Sequence, residues 1–125
     1  MIAVDTSSFI AYLEGESGKD IELLDDALKA KQIVLPPVVL TELLSDAGLP
    51  KGLVDLFKSL PVLEISEGYW ERAGSNRAAI LAKGQKARVA DALIAQSCLD
   101  HKTALLTRDA DFKAFSTLHG LVLAR

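Results

Sequence analysis

The chain has 125 residues, half of them hydrophobic and a quarter charged, which suits one globular domain with a real core and predicts residues 1–125 as that single domain. A formal net charge of −3 excludes a protein that grips nucleic acid by bulk charge alone, because that mode needs a strongly basic domain. One cysteine forms no internal disulfide, the Met1-Ile2-Ala3-Val4-Asp5 start lacks the basic and long apolar stretches of a signal peptide, and no apolar run approaches a membrane span. The expectation is a protein of a reducing, cytoplasmic setting with no membrane contact.

In chain order, Ile2 to Val4 reads as a strand ending at Asp5. Thr6, Ser7 and Ser8 then offer capping hydroxyls to a helix from Phe9 to Leu13. Gly15 and Gly18 break it, and Ile21, Leu24, Ala27 and Leu28 recur at helical spacing. Ile33 to Leu35 reads as a second strand, stopped by Pro36-Pro37, which also open a helix over Val38 to Ala47. Glu42 lies in it among Val38, Val39, Leu43 and Leu44, so this acid is expected on a face turned to the core. Gly48 and Pro50 precede a helix around Leu53 to Leu60, and Val62 to Ile65 reads as a third strand. A long helix from about Tyr69 to Ala82 leads to the loop Lys83-Gly84-Gln85-Lys86.

The stretch from Arg88 to Phe112 is the one on which the chain is organised. Val89, Ala90, Ala92, Leu93, Ile94, Ala95, Cys98 and Leu99 predict a helix packed on most sides, and Asp91 sits among them. A carboxylate beside apolar surface is costly unless paired, protonated or bound to a cation. Ala104 to Thr107 predicts a fourth strand, delivering Arg108, Asp109 and Asp111 at its carboxyl end, and Leu121 to Ala124 predicts a fifth. Strands alternating with helices indicate an α/β fold with a parallel sheet covered on both faces.

Asp5, Glu42, Asp91 and Asp109 each sit at or near the end of a strand or the start of a helix. Right-handed crossovers let the first and fourth strands neighbour one another, so these acids can face one cleft. Carboxylates roughly 6 Å apart repel by about 3 kcal/mol per pair at an effective dielectric of about 20, so such a cluster favours a divalent cation. All-oxygen ligands suit magnesium or manganese, and His101 and His119 show no ligand spacing. Each acid alone also has a plainer role: Asp5 as a helix cap, Asp91 as a first-turn acid, Asp109 as a turn residue, Glu42 as part of an amphipathic face. Cys98, among apolar helix residues, is expected in the core.

The segments VDTSSFIAYL, VVLTELL, VADALIAQSC and LLTRDADF resemble the four motifs of the PIN-domain ribonucleases, and especially of the VapC toxins of toxin-antitoxin pairs. The resemblance spans essentially the whole chain. It implies a three-layer α/β/α sandwich with five parallel strands in the order 3-2-1-4-5. It also implies that Asp5, Glu42, Asp91 and Asp109 form an acidic quartet binding Mg2+ or Mn2+, with Ser7, Thr107 and Asp111 in support. The implied activity is hydrolysis of RNA phosphodiester bonds. The implied partners are an RNA substrate, a cognate antitoxin whose basic tail plugs the acidic pocket, and a second copy in a homodimer.

Between Tyr69 and Arg88 the only acid is Glu71, against Arg72, Arg77, Lys83, Lys86 and Arg88. Lys83, Lys86 and Arg88 are therefore candidate RNA contacts, against the plainer reading of a solvated helix face. Tyr69 and Trp70 are expected in packing or a dimer contact ahead of base stacking. A receiver domain needs an acid pair after its first strand and a lysine after its last, and both are missing. A haloacid-dehalogenase-type phosphatase needs a second Asp where Ser7 stands. The remaining competitor is a catalytically idle PIN domain serving as a protein- or RNA-binding module, and the intact quartet speaks against it.

Overall fold

Short β-rich runs placed just ahead of helices build the frame. The computed structural model describes residues 1–125, with strands β1 (Ile2–Val4), β2 (Ile33–Val34) and β3 (Leu105–Leu106). The helices are α1 (Thr6–Leu13), α2 (Lys19–Lys29), α3 (Pro37–Leu43), α4 (Lys51–Ser59), α5 (Tyr69–Ala82), α6 (Val89–Asp100) and α7 (Lys113–His119), the last preceded by a 3-10 turn, Ala110–Phe112. The sheet is parallel in the order β2-β1-β3, with Ala3 opposite both Val34 and Leu105. Helices flank it, as parallel strands require when both faces are apolar.

Five full strands were expected, and the outer two are reduced to single parallel bridges, Leu35 with Val62 and Leu105 with Leu123. Two backbone hydrogen bonds hold each: Leu35 N–H to Pro61 and Leu63 N–H to Leu35 on one edge, Leu105 N–H to Val122 and Ala124 N–H to Leu105 on the other. The expected spatial order is therefore kept, but the edges are too short to count as strands. Val62 and Ile65 are 39% and 42% exposed, so the apolar run there faces solvent and gains little from a longer ladder.

Alternation fails in the strands because they are buried on both faces: Ala3, Val4, Ile33, Val34, Leu105 and Leu106 all belong to one core of 22 residues. Phe9 of α1 meets Phe57 of α4 edge to face, ring centroids 5.2 Å apart, and anchors the helices over the sheet. Cys98 lies in the same core, its thiol pushed up to about 12 by burial.

Helix α3 is shorter than the expected span to Ala47, and it buries only Val39 and Leu43. Glu42 is exposed, which corrects the expectation of a core-facing acid: Val38 and Leu44 are only partly covered, so one narrow stripe faces inward. Helix α6 is packed on most sides as expected, though not by its apolar residues alone. Val89 is 57% exposed, while the polar Gln96 and Ser97 are buried, satisfied by Asn76 and Asp100 and by the Leu93 carbonyl respectively. No helix is long and apolar enough to cross a membrane.

Candidate metal centre

The register of β1 against β3 sets the site. Asp5 N–H donates to the Leu106 carbonyl at 2.9 Å, which brings the residue after β1 beside Thr107, the residue after β3. Asp5 occupies the N-cap position of α1 but makes no capping bond with its side chain, so the plain helix-cap role fails. Its Oδ2 instead accepts from Ser7 Oγ at 2.7 Å and from Thr107 Oγ1 at 2.8 Å. Thr107 Oγ1 in turn accepts from the Asp109 N–H at 3.0 Å. Two hydroxyls thus hold a buried carboxylate in one orientation and tie it to the turn that carries Asp109.

That turn aims Asp109 and Asp111 the same way. Asp109 caps the 3-10 turn, its Oδ1 accepting from the Asp111 N–H at 2.9 Å, and this short loop keeps the two carboxylates together. Asp91 arrives from the first turn of α6. Carboxylate oxygens of Asp91, Asp109 and Asp111 lie within 4.8 Å of one another. Asp111, expected in a supporting position, therefore stands in the tightest group of acids. Asp5 lies near enough to act electrostatically on Asp91. Glu42 stands outside the trio and joins through its neighbour, with Thr6 Oγ1 donating to Glu42 Oε1 at 2.6 Å.

Asp91 carries the cost of this crowding. It is 8% exposed, and its Oδ2 is buried with no hydrogen-bond partner. Burial first, then the charges of Asp109 and Asp5, push its carboxyl from the ordinary carboxylate range up to about 6, with Arg88 pulling the other way. A buried carboxylate oxygen without a partner, on a residue grouped with two further carboxylates, is costly, and a cation held by the three would offset that cost. The donor set is all oxygen, which fits a hard divalent ion such as Mg2+ or Mn2+.

The loop between α5 and α6 supplies the nearest counter-charge. Lys86 Nζ lies 3.2 Å and Arg88 Nη2 3.8 Å from Asp111 Oδ2. Lys83 is exposed and forms no ion pair. The rest of the basic stretch is structural: Arg72 forks onto Asp100 and Arg77 donates to the Ala87 carbonyl. Tyr69 is buried and donates to the Leu93 carbonyl, whereas Trp70 is 59% exposed. His101 and His119 bond to the Glu64 and Asn76 carbonyls, away from the acids.

One element went unnoticed in the sequence. Arg108 donates to Asp20, Glu16 and the Ser17 carbonyl, clasping the α1–α2 loop to the end of β3, while its N–H reaches Ser7 Oγ at 3.3 Å. Its partners lie roughly 90 residues away along the chain, a distance no local pattern bridges.

A family model described as the PIN domain matches residues 2–118. The chain belongs to the PIN-domain family. No curated protein sequence matches it. Among solved structures, this PIN domain is similar to a chain of VapBC2 from Rickettsia felis bound to a promoter DNA fragment, with 22% identity, TM-score 0.76, and 99% of this chain covering 98% of that one. It is similar to a chain of FitAcB from Neisseria gonorrhoeae at 20% identity and TM-score 0.73, over 99% and 97% of the two chains. It also resembles a chain of VapBC-5 from Mycobacterium tuberculosis, a member of the VapBC toxin-antitoxin family, at 19% identity and TM-score 0.66, over 99% and 97%. These likenesses establish the fold, with nearly full-length correspondence on both sides.

Proposed function

We propose that this PIN domain is a divalent-metal-dependent endoribonuclease acting as the toxin of a VapBC-type pair. The observation that carries the reading is Asp91, which has a buried, partnerless Oδ2 and a carboxylate oxygen within 4.8 Å of oxygens of Asp109 and Asp111. Asp91, Asp109 and Asp111 would hold the ion, with Asp5 and Glu42 completing the acidic rim. When bound, Mg2+ or Mn2+ supplies Lewis-acid chemistry, lowering the pKa of water and offsetting charge that grows on the phosphate.

The protein's own residues orient the reaction. Ser7 and Thr107 fix Asp5, and the Asp109 cap on the Asp111 N–H fixes the pair after β3. Such second-layer hydrogen bonds keep ligands in place and tune their charge. Lys86 and Arg88 offset the site's negative field, so that a phosphodiester can approach, and Lys83 extends that rim. A cognate antitoxin is the proposed protein partner and a second copy the proposed dimer mate, supported by the fold shared with chains of VapBC complexes.

Purified protein should cleave single-stranded RNA only when Mg2+ or Mn2+ is present. Undiminished cleavage in excess chelator would overturn the reading, and sequencing of RNA ends after brief expression identifies the target.

A further inference from the structure

Beside the acidic trio, at the carboxyl end of β3, lies an open cavity of about 300 Å³ that shares Thr107 and Asp109 with the site. Its walls also carry three cations, Arg108, Lys113 and Arg125, and Asp109 is the one acid among them. Arg108 is already neutralised by Asp20 and Glu16. Lys113 and Arg125 are exposed and belong to none of the ion pairs of the chain, so their charge is free for an incoming anion.

We infer that this cavity is a backbone subsite of the enzyme, in which Lys113 and Arg125 take the phosphate next to the one being cleaved in a single-stranded RNA. The inference rests on the ribonuclease reading above. Its logic is electrostatic. A strand whose scissile phosphate sits at Asp91, Asp109 and Asp111 must cross the most negative point of an acidic protein, and its neighbouring phosphates need cations nearby. Lys86 and Arg88 stand at Asp111, but both already lean on that carboxylate. The cavity provides the other cations, adjoining Asp109, and they have no competing partner. Lys113 starts α7, directly after the turn that fixes Asp109 and Asp111, so its Cα is held at a set distance from the ligand carboxylates. Leu123, opposite Leu105 in the edge bridge, sets the segment carrying Arg125 against β3 in the same way. The occupant has a shape requirement too: the cavity is open and polar enough for a sugar-phosphate unit, and it presents no aromatic side chain on which a base would stack.

Binding of a short fluorescent oligouridine by anisotropy tests this, measured in an Asp91→Asn background so that cleavage does not intervene. Adding Lys113→Ala and Arg125→Ala together should weaken binding roughly tenfold at low salt. The slope of log affinity against log salt should fall by about 0.7, the value for the one single-strand phosphate that the protein no longer neutralises. Lys58→Ala, an exposed cation on α4 outside any ion pair, is the control for bulk charge and should leave the slope unchanged. Equal effects from Lys58→Ala and the double variant, an unaltered slope in the double variant, or no measurable binding by the Asp91→Asn parent would each overturn the subsite. The readout is independent of catalysis. Wild type that binds through Lys113 and Arg125 yet cleaves nothing with Mg2+ or Mn2+ would keep the subsite and remove the nuclease reading, whereas normal cleavage with an unaltered slope would do the reverse.

Discussion

Asp91 is where the energetic conflict of this molecule is concentrated. Its carboxyl is held at about 6, while in the unfolded chain it titrates near the ordinary carboxylate value. Between about pH 4 and 6 the folded state therefore keeps a proton that the unfolded state releases. As pH rises through this window the buried charge weighs progressively against the fold, reaching about 3 kcal/mol above it. Asp91→Asn mimics the protonated form at every pH. In chelator, its stability advantage over wild type should grow from near zero at pH 4 to about 3 kcal/mol at pH 7. Saturating Mn2+ should shrink or reverse that advantage, because only wild type keeps the full ligand set. The same variant should lose cleavage by at least ~10²-fold, about 3 kcal/mol of barrier. Denaturant titrations at several pH values, read beside RNA cleavage, check both. A metal-free variant less stable than wild type at pH 7 would make Asp91 a structural acid. Asp111→Asn should be milder in activity, since Lys86 and Arg88 already offset part of that charge.

The elements explain how much of this was readable beforehand. Val4-Asp5 and Leu106-Thr107 are apolar strands ending in polar residues, so the meeting of Asp5, Asp91 and Asp109 followed from strand ends and right-handed crossovers. Glu42 misled because apolar neighbours in a sequence window do not say which of them α3 buries. The bridges at Val62 and Leu123 read as strands because an apolar run is the same whether or not its edge is paired. The Arg108 clasp left no signal, as it joins the α1–α2 loop to β3 through residues distant in sequence. Its test runs through Gly18, whose φ of +140° disfavours any side chain and where a Cβ would press on the clasp itself, 2.7 Å from Asp20 Oδ1 and 3.1 Å from Arg108 Nη2. Gly18→Ala should therefore cost about 1 kcal/mol or more, and Arg108→Ala a similar amount. If the clasp is one unit, the double variant should lose less stability than the sum of the two, and strict additivity in thermal melts would count against it.

At the scale of the whole molecule, an acidic cleft and an apolar face set the terms of assembly. The cleft favours a cationic plug, so an antitoxin tail carrying Arg should bind it best, a guanidinium forking onto paired carboxylates. A partner stripped of every tail Arg and Lys should inhibit cleavage markedly less, and equal inhibition would exclude the plug. The apolar face lies where α5 meets α6. Trp70 and Val89 are 59% and 57% exposed there, around a hollow whose lining includes Ala73 and Gly74, small enough to permit close approach. An exposed tryptophan over small residues is the kind of anchor on which interfaces concentrate their energy. The expected outcome is a dimer in sedimentation equilibrium that Trp70→Glu converts to monomer while melting temperature and Mn2+ binding of the isolated chain are kept. The surface is assigned wrongly if Trp70→Glu dimerises as tightly as wild type, and homodimerisation itself fails if wild type remains monomeric at high concentration.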